Sequence, residues 1–212
     1  MKTKKFTTSQ LTILGLMAGI LFLMAYTPLG YLNIGPLAVT FNVIPVAVCA
    51  IVLGPTGGAI AGAVFGLTSF MQAIGIGGVS ALGSALFQIN PFMTAVQCFG
   101  PRILDGICIG FIYRAVHKKA NTYVSCAVTG FFSAFLNTLF FMTALIAMFG
   151  NTELIRNLMG GHNIIVGCCL MVGVNAISEM VSSTIITAAV GTALSKAHLI
   201  PAVQIVKTDT AA

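Results

Sequence analysis

Apolar residues run along this chain in long stretches, near 9–27, 37–53, 56–74, 94–116, 122–149 and 164–194, separated by short polar or glycine-proline segments. A helix needs roughly 20 apolar residues to cross the hydrocarbon core of a bilayer. The pattern therefore predicts an all-α integral membrane bundle of six transmembrane helices, one domain over residues 1–212. The last two runs exceed a simple crossing and predict tilt, bending or projection past the lipid. Leu53-Gly-Pro-Thr-Gly-Gly58 is a very short turn that makes the second and third spans antiparallel neighbours. Between Gly75 and Pro91 the chain is uncharged but short and broken by Gly75, Gly77, Gly78, Gly83 and Pro91. It predicts an outer loop folded onto the bundle, because long ordered loops are more often functional than decorative. Beyond Pro201 the tail turns polar.

Composition strengthens the membrane assignment. Apolar residues make up 58% of the chain and charged residues 7%, against about 25% charged in a soluble domain. The net charge of +6 is not gathered into one nucleic-acid stripe. It falls in clusters beside apolar runs. With the N-terminus inside and six crossings, Lys2, Lys4, Lys5, Arg114, Lys118, Lys119, Lys196 and Lys207 face the cytoplasm, and the outer loops hold only Arg156. That asymmetry predicts cytoplasmic N- and C-termini. Moving Arg114, Lys118 and Lys119 outside, as a seventh crossing would, breaks it. No cleavable signal pattern follows the first run.

Chemistry is sparse. Six cysteines show neither a Cys-x-x-Cys pair nor a metal spacing. There is no phosphate-binding Gly-x-x-x-x-Gly-Lys-Ser/Thr loop. Three histidines and four acids form no triad or metal site. The chain reads as a non-enzyme that binds no cofactor or metal, and any uphill transport needs energy from another subunit.

The polar groups at membrane depth carry the information, since such residues usually face a bundle interior or cavity. At 1.5 Å per residue, Arg102, Asn137 and Asn175 each lie roughly 15–18 Å from the outer ends of their spans. Thr40 and Asn42 sit higher, and Asn90 closes the outer loop. A cation and amides converging in apolar surroundings suit a small-ligand pocket. The guanidinium fork matches a carboxylate, and the asparagines suit hydroxyls or an amide. Two alternatives stand beside this reading. Arg102 could neutralise Asp105 or Glu179, and the asparagines could bond between helices. For Glu179 a structural ion pair or partner contact is favoured over ligand contact, and His162 in the last outer loop reads as solvated. Gly58, Gly62 and Gly66 predict tight helix packing. Gly15 and Gly19, four apart on the first span, serve either internal packing or docking of another membrane subunit.

Several runs are similar to a known family. Tyr26-Thr-Pro-Leu-Gly-Tyr-Leu-Asn-Ile-Gly-Pro-Leu-Ala-Val-Thr40, Ile44-Pro-Val46, Leu53-Gly-Pro-Thr-Gly-Gly-Ala-Ile-Ala-Gly-Ala-Val-Phe-Gly-Leu-Thr-Ser-Phe70 and Pro101-Arg-Ile-Leu-Asp-Gly106 resemble the substrate-binding S components of energy-coupling factor (ECF) vitamin transporters. The likeness is strongest to the pantothenate-specific ones. It implies a multi-pass protein of the bacterial plasma membrane that binds one vitamin from outside. It also implies docking onto a transmembrane coupling subunit with two ATPase subunits, which hydrolyse the ATP. Gly15 and Gly19 stand where the family carries alanines that meet the coupling subunit. Folate, a hydroxymethylpyrimidine precursor or another vitamin remain alternative ligands. A stand-alone secondary transporter is disfavoured by the lack of inverted repeats.

Overall fold

In a computed structural model, the structure describes residues 7–27, 31–33, 38–77, 80–158 and 164–200, with the side chains of 31–33, 38–39, 164–171 and 174 left aside. Lys2, Lys4, Lys5, Lys207 and His162 lie outside the described residues. The order is α1 (Thr8–Tyr26), β1 (Tyr31–Asn33), β2 (Ala38–Thr40), α2 (Val43–Ala73), α3 (Ala81–Ile89), α4 (Pro91–His117), α5 (Thr122–Phe149), α6 (Glu153–Leu158) and α7 (Ile164–Lys196). Among the described residues, five helices are long and apolar enough to cross a membrane: α1, α2, α4, α5 and the 175–196 part of α7.

Local signals set the helix starts. Thr7 and Gln10 cap α1 reciprocally, each side chain taking the other's backbone N–H. Asn90 accepts from the Met93 N–H at 3.1 Å, and Pro91 occupies the first turn of α4, where no N–H is needed. Asn121 caps α5 through the Val124 N–H at 2.9 Å.

The expected boundaries change in three places. The second run was expected to be helical from 37, but Ala38–Thr40 pairs antiparallel with Tyr31–Asn33, with Tyr31 opposite Thr40, and helix begins only at Val43. The β-branched Val39 and Thr40 accept this extended geometry easily, so the expected all-α bundle carries one short ribbon. The segment from Gly75 to Pro91 contains a helix, α3, started by Ser80, whose hydroxyl accepts from the Gly83 N–H at 3.1 Å. The segment after α5 likewise folds one short helix, α6. Its Ile155 packs with Leu86, Met142, Leu145 and Phe149 in an apolar cluster.

The second and third runs are two helical arms of α2 that meet at a sharp kink at Gly54. Gly54 takes φ 73° and ψ −164°, a conformation that favours glycine. The Arg114 guanidinium lies where a Gly54 Cβ would project. Beyond the bend Ala50 meets Gly58 and Cys49 meets Gly57. In a straight helix residues eight apart would be about 12 Å from each other, so the arms 43–53 and 55–73 run side by side in opposite directions.

Two antiparallel helix pairs build the core. Along the second arm of α2, Gly58, Gly62 and Gly66 press onto the backbone carbonyls of Gly106, Arg102 and Cys98 of α4, and Gly110 presses onto Pro55. Side chains are absent where the backbones meet, which is how small residues bring membrane helices close. In the other pair, Gly130 of α5 lies on the Ser183 carbonyl of α7, and Gly191 lies on Cys126. A polar seam follows this contact. Ser125, Thr129, Ser133 and Asn137 recur every fourth residue on α5, as do Asn175, Glu179, Ser183 and Thr187 on α7, all of them 0–6% exposed. Residues four apart share one helix face. Ser125 and Thr129 satisfy their hydroxyls on their own helix, at the Asn121 and Ser125 carbonyls. By contrast α1 leans on α2 through Ile13, Leu21 and Ala25. Gly15 and Gly19 are exposed, and a Cβ at either position would meet no neighbour among the described residues.

Gly62→Val is expected to cost about 1–3 kcal/mol of stability by forcing α2 and α4 apart, read as a lower thermal unfolding midpoint in detergent. Gly15→Val should leave that midpoint unchanged.

Candidate functional site

The site begins with a backbone defect. Pro101 sits inside α4 and has no N–H, so the carbonyl four residues earlier, that of Gln97, loses its helical donor. Arg102 fills the gap: its Nη1 donates to the Gln97 carbonyl at 2.8 Å. The guanidinium is flanked by two aromatic faces, with its carbon 5.4 Å from the Phe65 ring centre and 4.6 Å from that of Phe141. Cation–π contacts of this kind strengthen where water is excluded. Proline, the adjacent arginine and two phenylalanines from α2 and α5 thus hold one cation at a fixed place inside the bundle.

That cation lines a cavity of about 140 Å³. The second arm of α2 supplies Phe65, Ser69 and Gln72, and α4 supplies Thr94, Gln97, Cys98 and Arg102. From α5 come Asn137, Thr138 and Phe141, and from α7 Val172, Asn175 and Glu179. Thr40 of β2 and Ser80, Leu82, Gly83 and Leu86 at α3 complete the wall. The glycine and proline-rich segment before α4 is therefore part of the site, and α3 is the element that brings it there.

Several polar groups in the wall are committed to structure. The Gln72 side-chain N–H donates to the Ala25 carbonyl at the end of α1, at 2.6 Å. The Gln97 side-chain N–H donates to the Phe141 carbonyl at 2.9 Å. Glu179 accepts the Thr40 backbone N–H at 2.6 Å, joining α7 to the ribbon. Two buried acceptors, Gln97 Oε1 and Asn137 Oδ1, have no hydrogen-bond partner among the described residues. An unmade bond at a buried acceptor costs about 1–3 kcal/mol, which a ligand bringing N–H or O–H donors would recover. The wall therefore suits a small molecule with one anionic group for Arg102 and neutral donors for the amide oxygens.

The structure brings Arg102, Asn137, Asn175 and Thr40 to one cavity. Asn42 is fully buried beside it, outside the lining, with neither side-chain polar atom bonded and its backbone N–H on Thr40 Oγ1 at 3.3 Å. Asn90 caps α4 and does not line the cavity. Asp105 is buried below the cavity, facing Ser133. Glu179, expected chiefly as a structural or partner contact, lines the cavity and lies within electrostatic reach of Arg102. Sequence reasoning passed over Gln72, Gln97, Phe65 and Phe141. A signal for Gln97 was present, because a proline inside a helix frees the carbonyl four residues before it.

The family model for the ECF transporter, substrate-specific component, matches residues 9–191. A pantothenate transporter of Leuconostoc mesenteroides subsp. mesenteroides is 33% identical over 178 residues, covering 81% of this chain and 81% of its own. A pantothenic acid transporter of Lactococcus lactis subsp. cremoris is 28% identical over 208 residues, covering 92% of this chain and 98% of its own.

Pro101→Ala is expected to return the Gln97 carbonyl to the helix and loosen Arg102. Thermal stability without ligand should hold or rise, while a small carboxylate ligand binds about tenfold more weakly, a change of about 1.4 kcal/mol by calorimetric titration.

Proposed function

The chain belongs to the ECF transporter substrate-specific component family, and on that footing we propose that it captures pantothenate for an energy-coupled importer, using Arg102 to hold the ligand carboxylate. The observation that carries this reading is the guanidinium fixed between Phe65 and Phe141 on the wall of a buried cavity. The chain is a multi-pass protein of the bacterial cell membrane and a transport subunit, not an enzyme. Pantothenate is the ligand named for both relatives, and its chemistry fits the wall. Its carboxylate meets Arg102. Its hydroxyls and amide meet Asn137, Asn175 and Thr40, with Gln97 Oε1 as a further acceptor. Asn42 and Asn90 support the site from behind, one under the ribbon and one at the start of α4.

In the proposed topology the two arms of α2 count as separate crossings, which restores six and places both termini in the cytoplasm. The first arm is short for a bilayer at about 16 Å, so the ribbon before it completes the path to the outer surface. Arg114, Lys118 and Lys119 are exposed at the end of α4, where the positive-inside rule wants them. The chain itself binds no cofactor. Its partners are a transmembrane coupling subunit and two ATPase subunits that hydrolyse ATP, and the exposed Gly15 and Gly19 on α1 provide the docking face.

Purified chain titrated with a vitamin panel should bind pantothenate and reject folate and hydroxymethylpyrimidine. Selective binding of another vitamin would overturn the ligand assignment. Arg102→Ala should weaken pantothenate binding by about 30-fold or more, as truncating one partner of a buried charge pair costs about 2–5 kcal/mol. Gly15→Leu with Gly19→Leu should leave binding intact and abolish copurification of the ATPase subunits.

A further inference from the structure

Charge balance inside the bundle leads one step beyond ligand capture. Among the described residues, three charged side chains are buried: Arg102, Asp105 and Glu179. With both acids ionised the sum is already negative, and a bound carboxylate would add another negative charge. Uncompensated charge at membrane depth is expensive, and even in a protein interior a buried charge without its partner costs several kcal/mol. A carboxylate that settles on Arg102 therefore has to displace an acid from its role as counter-charge.

The geometry identifies which acid yields. Both acids lie within electrostatic reach of Arg102, but Asp105 lies off the cavity while Glu179 is on its wall. Sharing the cavity wall with Glu179 are Arg102 and Cys98 from α4, Gln72 from α2, Asn137 from α5 and Thr40 from β2, and Arg102 alone among them is cationic. The Thr40 N–H bonds Oε1, and the carbonyl oxygen of a neutral carboxyl group accepts that bond as a carboxylate does. Proton uptake on the other oxygen would leave the ribbon attached to α7.

We propose that ligand binding is coupled to uptake of a proton by Glu179, so that the ligand carboxylate replaces the Glu179 carboxylate as the counter-charge of Arg102. The exchange balances: a carboxylate and a proton leave the water, and the cavity changes from guanidinium with carboxylate to guanidinium with ligand carboxylate and a neutral glutamic acid. This inference rests on the pantothenate reading and adds the role of Glu179 to it. The sign follows directly. A proton consumed on binding makes the complex tighter as pH falls and weaker as pH rises.

The test is calorimetric titration of the full-length chain with pantothenate, in two buffers of different ionisation enthalpy across the neutral pH range. The difference in binding heat reads the protons taken up. The expected result approaches one proton per ligand, with affinity falling by up to about tenfold per pH unit on the alkaline side. In Glu179→Gln the uptake should vanish and the pH dependence flatten, while in Asp105→Asn both should persist. Tight binding by the unmodified protein with no proton uptake overturns this inference and leaves the pantothenate reading standing. Uptake that persists in Glu179→Gln overturns the assignment to Glu179. Failure to bind pantothenate at any pH overturns the ligand reading and this inference together. Should the glutamine variant fail to fold, the two-buffer measurement on the unmodified protein still decides whether a proton is taken up, and its loss in Asp105→Asn would overturn the assignment to Glu179.

Discussion

The site depends on one carbonyl without a helical donor. Proline at 101 deprives Gln97 of its backbone partner, and Arg102 supplies the replacement from its own side chain. A helix interrupted by proline is normally weakened by about 3 kcal/mol or more. Here the weakness is turned into a fixed position for a cation, with Phe65 and Phe141 closing on either side. Arg102, next to the proline, reaches back to the free carbonyl five residues earlier while its guanidinium lines the cavity.

Two helix pairs surround that point, and they are held by opposite means. Along α2 and α4 the backbones touch through glycines, so the contact is close and rigid. The Arg102 carbonyl itself lies on Gly62, which fixes the backbone of the residue whose side chain bears the charge. Along α5 and α7 a seam of hydroxyls, amides and one carboxylate runs from the cavity down the bundle. Ser183 Oγ and Thr187 Oγ1 are buried there without hydrogen-bond partners.

Much of this was legible in the residues. Run lengths located the long helices, and equal depth of Arg102, Asn137 and Asn175 along their spans drew attention to the level of the cavity. The glycine spacing at 58, 62 and 66 announced the tight pair. The ribbon was hidden because Ala38, Val39 and Thr40 are as apolar as the helix that follows, and hydropathy does not distinguish extended from helical backbone. α3 was hidden by its glycines, which read as loop until Ser80 is recognised as a cap. The α5–α7 seam escaped notice because serine and threonine are unremarkable singly in a membrane helix. Their four-residue recurrence on both helices carries the signal. Glu179 could not be assigned from sequence, since depth alone does not tell which side of a helix faces a cavity.

The glycine contact between α2 and α4 also bears on how such a chain can change over generations. At Gly58, Gly62 and Gly66 the nearest neighbours are mainly backbone atoms of α4, so that interface makes little demand on side chains elsewhere on the two helices. The cavity wall is drawn from side chains beside that contact, among them Phe65, Ser69, Cys98 and Arg102, and from α3, α5 and α7. Drift can therefore rewrite the lining, and with it the molecule captured, while the frame is inherited intact. Heredity binds the scaffold at a few positions where no side chain is allowed and leaves the chemistry of the pocket free to diverge.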